Sequence, residues 1–99
     1  MPIEMKLAEL RYRRTKIVAT LGPSSDDEET IRNLVQAGVN VFRLNFSHGD
    51  HDSHGATFAI VRRVAEELGE PVGVLADLSG PKIRTGSFAG GQIELEAGQ

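Results

Sequence analysis

Three short apolar runs alternate with two amphipathic segments along this chain of 99 residues, an alternation that predicts an α/β fold on a parallel sheet. Two further observations support it. The breaks carry Gly or Pro (Gly22-Pro23, Gly38, Gly69, Pro71), and polar side chains collect at the C-terminal ends of the runs. The expected order is β-α-β-α-β followed by a hairpin. Parallel strands are normally covered on both faces, and three strands with two helices cannot supply both covers. The expectation is therefore a piece of a doubly wound sheet or of a (β/α)8 barrel, a complete barrel needing about 250 residues.

Lys16 to Gly22 (KIVATLG) reads as a buried strand after a mixed-charge arm with a basic cluster at Arg11, Arg13, Arg14 and Lys16. Ser25-Asp26-Asp27-Glu28 has the spacing of a capping box and predicts a helix start at Ser25. Ile31, Leu34 and Val35 then form one apolar stripe, and Gly38 suits a left-handed end. Val39 to Phe46 predicts a second strand with unlike faces. Phe42, Leu44 and Phe46 are apolar, whereas the other parity turns from Val39 and Val41 to Arg43, Asn45 and Ser47. One face should pack against helices and the other open into a site.

A second helix is expected from about Asp52 or Ser53 to Leu68, with Phe58, Val61, Val64, Ala65 and Leu68 at helical spacing. Val72 to Leu78 predicts a third strand that brings Asp77 to its C-terminal end. Ser79-Gly80-Pro81 marks a switch of character. Lys82 to Phe88 and Gln92 to Glu96, joined by Ala89-Gly90-Gly91, read as the hairpin.

Composition narrows the function classes. A net charge of −3 gives no global attraction to nucleic acid or anionic membrane, and the absence of cysteine excludes a disulfide scaffold and thiol chemistry. A reducing, cytoplasmic setting is expected, and the charged N-terminus reads as neither a signal peptide nor a membrane span.

Arg43, Asn45 and Ser47 project a guanidinium, an amide and a hydroxyl from one face of one strand. Such a set suits phosphate or carboxylate on the arginine and a hard cation on the oxygens, against the plainer reading of a salt-bridged strand end. His48, His51 and His54 do not have the i, i+4 spacing of paired helical ligands, and they read as loop polarity. Ser79 to Gly86 carries Lys82 and Arg84 among glycines but lacks the P-loop order.

RRTKIVATLGPSS (13–25), FRLNFSHG (42–49) and DLSGPKIRTG (77–86), taken together in this order and spacing, resemble the N-terminal part of pyruvate kinase. The resemblance implies a partial (β/α)8 TIM barrel carrying a small β-barrel lid. Residues 1–15 would be an arm, 16–80 the first β/α units, and 81–99 the start of the lid. It implies glycolytic phosphoryl transfer from phosphoenolpyruvate to ADP, giving pyruvate and ATP, in a cytoplasmic homotetramer that uses Mg²⁺. By position, Arg43 resembles the substrate-side catalytic arginine. Pro23, Asn45, Phe46, Ser47, His48 and Arg84 resemble the nucleotide side. Asn45, Ser47, Asp77 and the carbonyl of Leu78 resemble the monovalent-cation pocket.

Many family members carry Thr and Glu where this chain has Leu78 and Lys82, and the Glu type needs K⁺. Lys82 matches the branch in which an internal ammonium replaces that ion, so K⁺ independence is expected. The family's catalytic lysine and the acidic pair that holds Mg²⁺ come from later strands, so these 99 residues alone are expected to be inactive. The rival reading is a non-catalytic half-barrel that binds phosphate or nucleotide, or an interaction module.

Overall fold

The computed structural model describes Glu9, residues 12–81 and residues 83–99. Arg11 of the basic cluster and Lys82 lie outside the described residues. Three strands, β1 (Val18–Leu21), β2 (Val41–Asn45) and β3 (Gly73–Asp77), alternate with two helices, α1 (Glu28–Ala37) and α2 (His51–Leu68). The strands form one parallel sheet in the order β1-β2-β3.

Side-chain alternation along β2 decides which face is covered. Phe42 and Leu44 are buried, and with Leu21 they meet Ile31 and Val35 of α1 and Val61, Val64 and Ala65 of α2 in one core. Burying each such large side chain contributes about 1.5–3 kcal/mol. Among the described residues the opposite face has no such cover, and Val18 and Leu75 there remain 55% and 44% exposed. The mismatch between three strands and two helices therefore appears as one packed face and one open face.

The helix ends follow local chemistry, with corrections to the expected starts. Ser25 does not cap α1. Its hydroxyl accepts from Gly22 N (3.0 Å) and its own N–H donates to Gly22 O (2.9 Å), which closes the turn leaving β1. Asp27 takes over as the cap, accepting from Thr30 N at 3.0 Å. Glu28 is thereby released to pair with Arg32 (3.3 Å) and with Arg63 of α2 (3.1 Å). Arg32 also reaches Glu67 of α2 at 2.6 Å, so the two helices are cross-linked by charge. Gly38 ends α1 at φ 113°, a left-handed conformation that a Cβ would strain.

Helix α2 starts slightly earlier than expected because Asp50 and Ser53 form a reciprocal capping box. Ser53 N donates to Asp50 Oδ1 at 2.7 Å and Asp50 N donates to Ser53 Oγ at 3.0 Å. Phe58, expected in the core, is 46% exposed with the Arg62 guanidinium 5.8 Å from its ring centroid. Thr57 is buried instead, its hydroxyl donating to the Ser53 carbonyl at 3.1 Å.

Arg13 is not a free member of the basic arm. Its Nη2 donates to Gly38 O and to Asn40 Oδ1, each at 2.7 Å. Asn40 Oδ1 also accepts from Ile17 N at 2.9 Å. The guanidinium thus meets the negative C-terminal end of α1 and ties the chain entering β1 to the chain entering β2.

The hairpin expected across Lys82–Phe88 and Gln92–Glu96 is not formed as a strand pair among the described residues of 83–99. A short 3-10 turn at Ala89–Gly91 occupies the expected bend, and Ile93 and Leu95 are exposed. The physical reason is that a two-stranded ribbon is marginal without further strands or a covering face.

Candidate functional site

The open face carries the polar residues. In the sheet register Thr20, Arg43 and Leu75 form one row across the three strands, and Asn45 and Asp77 form the next row toward the C-terminal ends. Arg43 reaches into both rows. Its Nε donates to Asp77 Oδ2 at 2.9 Å, its Nη2 pairs with the same oxygen, and its Nη1 donates to Thr20 Oγ1 at 3.2 Å. The arginine remains about one-third exposed, so its charge faces the open side of the sheet. Thr20 shares Arg43's row and was not singled out in the sequence; its signal is side-chain parity once the strands are paired in register.

Beyond β2 the chain turns sharply. Asn45 Oδ1 accepts from Ser47 N at 3.0 Å, and Asn45 O accepts from His48 N at 3.2 Å. This is the side-chain-closed turn for which Asn is suited. His48 then stands between two clefts. The larger, about 530 Å³, is lined by Pro23, Asn45 and His48 together with Thr20, Asp26 and Thr57. The smaller, about 380 Å³, is lined by Phe46, Ser47, His48, Ser79 and Arg84. The six residues expected on one side of the site thus fall into two clefts that share His48. Arg43 lines neither, but it is bonded to Thr20 at the edge of the larger one. Leu78 is 76% exposed at the end of β3 and lines a third hollow with Phe46 and Ser79.

Asp50, which lines the third hollow, has its carboxyl held below the usual carboxylate range, chiefly by the Ser53 backbone and side-chain hydrogen bonds. Among the described residues no group of three or more His, Asp and Glu side chains gathers for a metal ion. Each of His51 and His54 instead meets the Phe46 ring, with centroids 6.4 and 4.5 Å away.

For a monovalent cation the donor chemistry fits. Asn45 and Asp77 are Cα partners, and both offer oxygen. The Asn45 amide oxygen has a second lone pair beside the one given to Ser47 N. Both contacts from Arg43 fall on a single oxygen of Asp77.

Residues 12–99 match a family model described as pyruvate kinase, barrel domain. The chain belongs to the pyruvate kinase family. It is similar to pyruvate kinase 2 of Synechocystis sp., with 53% identity over 88 residues, covering 87% of this chain and 15% of that protein. It is also similar to the pyruvate kinase of Sporosarcina psychrophila, with 52% identity over 87 residues, covering 88% of this chain and 15% of that one. A crystal structure of a pyruvate kinase from Cryptosporidium parvum superposes with a TM-score of 0.75 at 42% identity, covering 84% of this chain and 17% of the other. The chain thus spans about 15% of the length of the curated pyruvate kinases it matches. Its parallel β-α-β-α-β sheet accords with a portion of the pyruvate kinase barrel.

Proposed function

We propose that this chain supplies the first β/α units of a pyruvate kinase, contributing one side of a site that transfers phosphoryl from phosphoenolpyruvate to ADP. The observation that carries the reading is the Arg43 guanidinium, held toward the C-terminal end of the sheet by Asp77 and by Thr20, which itself lines the larger of the two clefts that meet at His48. Active sites of parallel α/β folds gather at that end of the strands.

In this reading Arg43 is the catalytic arginine and meets the substrate's phosphoryl group. Its planar donor fork neutralises charge that spreads over the equatorial oxygens during transfer. Pro23, Asn45, Phe46, Ser47, His48 and Arg84 line the nucleotide side. Asn45, Ser47, Asp77 and the carbonyl of Leu78 would hold a monovalent cation, which supplies positive charge beside the phosphates. The Lys82 ammonium stands in for that ion. Mg²⁺ belongs to an acidic pair on later strands of the family's barrel. Residues 16–80 supply barrel units, 81–99 begin the lid, and the whole enzyme is a cytoplasmic homotetramer. No helix among the described residues is long and apolar enough to cross a membrane.

The test is a graft in which residues 12–99 replace the matching segment of the Synechocystis pyruvate kinase. The graft is expected to form pyruvate and ATP, while the 99-residue chain alone, lacking the family's catalytic lysine and Mg²⁺ ligands, forms none. A folded graft without turnover overturns the reading. Tight ADP binding by the isolated chain, with an inactive graft, would favour the non-catalytic binding module.

A further inference from the structure

The loop between β2 and α2 has only residues 46–50 in which to leave the sheet and start a helix. It is held from the far side by His54, in the first turn of α2. A helical side chain leans toward its own N-terminus, so the His54 ring lies back over the loop. Its Nε2 is 2.6 Å from the His48 carbonyl oxygen. A carbonyl only accepts, so Nε2 carries the proton in this contact. The ring also packs on Phe46, with centroids 4.5 Å apart and planes inclined by 32°.

Gly49 permits the approach. It adopts φ +72°, and a Cβ there would stand 3.0 Å from Ser53 Oγ and 3.2 Å from His54 Nε2. The Asp50–Ser53 capping box fixes the other end of the loop. His48 is thereby fixed on both sides, its N–H by Asn45 and its carbonyl by His54.

We infer that His54 is a positioning residue that locks the loop around His48 and so sets the shape of the two clefts His48 shares. The functional consequence rests on the pyruvate kinase reading, in which those clefts take the nucleotide. The lock itself does not. His54 acts through the His48 carbonyl, and losing the contact lets the loop sample conformations that do not bind ADP, lowering apparent affinity by the fraction still competent.

Two variants separate the donor from the packing. His54→Phe keeps a ring over Phe46 but has no N–H, whereas His54→Gln restores a side-chain N–H in a comparable place. In the 99-residue chain, amide hydrogen exchange at His48 and Asp50 is expected to quicken about tenfold in His54→Phe and to recover in His54→Gln, with Arg43 and Leu44 in the sheet unchanged as controls. In the graft, the KM for ADP should rise about five- to tenfold in His54→Phe, the KM for phosphoenolpyruvate should stay within about twofold, and His54→Gln should restore the first. Unchanged loop exchange in His54→Phe overturns the lock, as does failure of His54→Gln to rescue. Equal rises in both KM values overturn the assignment to the nucleotide side. Quickened and rescued exchange in an inactive graft would uphold the lock and reject the pyruvate kinase reading alone.

Discussion

Arg43 and Asp77 are joined across β2 and β3 although they are not register partners. The strand neighbour of Arg43 is Leu75, and its guanidinium bends forward to the Asp77 carboxylate two residues on. That bend turns the Nε and Nη2 side of the guanidinium toward the C-terminal rim, while Nη1 still reaches across to Thr20 of β1. It also gives Asp77 two tasks in the proposed site, orienting Arg43 and contributing an oxygen to the cation pocket.

Replacing Arg43 by Lys in the graft should lower kcat/KM for phosphoenolpyruvate by about 10²–10³, because an ammonium keeps the charge but loses the fork that meets Asp77, Thr20 and a phosphoryl group together. Steady-state kinetics decide it. A loss below about fivefold would show that charge alone suffices and that the fork is dispensable.

The proposed stand-in of Lys82 for a monovalent ion predicts that graft activity in Na⁺ and K⁺ buffers of equal ionic strength agrees within about twofold. A large stimulation by K⁺ would remove Lys82 from that role and leave Asn45, Ser47, Asp77 and Leu78 as a working ion pocket.

Acid should weaken the chain through its helix ends. Asp27 and Asp50 are held below their ordinary value of 3.8 by hydrogen bonds from Thr30 and Ser53, and Glu28 below 4.5 by Arg63 and Arg32. The unfolded chain therefore binds more protons than the folded one as the pH falls through these values. The stabilisation is fully present above about pH 5 and is lost as the pH falls through the lowered, folded-state values. The thermal midpoint, followed by circular dichroism, should be flat near neutrality and fall below about pH 4.5. Added salt should reduce the Glu28 share, which is Coulombic in part, more than the shares of the two caps. A midpoint that does not move with acid would rule out these carboxylates as stabilising groups.

Arg13→Ala should destabilise the chain by about 1.5–3 kcal/mol, since it removes a charged donor from Gly38 O and Asn40 Oδ1 together. Arg14→Ala, a neighbour of the same charge, serves as the comparison and should change stability by less than about 0.5 kcal/mol. Equal effects in urea titrations would return Arg13 to the solvated arm.

Much of the fold was legible because it rests on short-range rules. The stripe of Ile31, Leu34 and Val35 and the left-handed glycine at position 38 follow from helical geometry, and the two-faced pattern of β2 follows from strand alternation. Where two residues can perform the same local task, sequence alone does not choose between them. Ser25 and Asp27 are both competent caps, and the turn at Gly22 decided between them. Phe58 lies one position from Thr57 on α2, and the packing of the helix on the sheet leaves Thr57 buried and Phe58 exposed.

The site divides along the same line. The sequence by itself determined that Arg43 and Asn45 share one parity at a strand end and that Asp77 ends the next strand, because a strand's period of two leaves no alternative, whereas Ser47, expected on the same strand face, lies in the turn beyond β2. It also determined the family, through three motifs in order. Only the tertiary structure decided that Arg43 takes Asp77 and Thr20 as partners, that His48 separates two clefts, that Arg13 belongs to the fold, and that His54 reaches back to the loop. Each of these joins residues through strand register, a helix end or a loop return, and such distances in space are set by packing and do not follow from spacing along the chain.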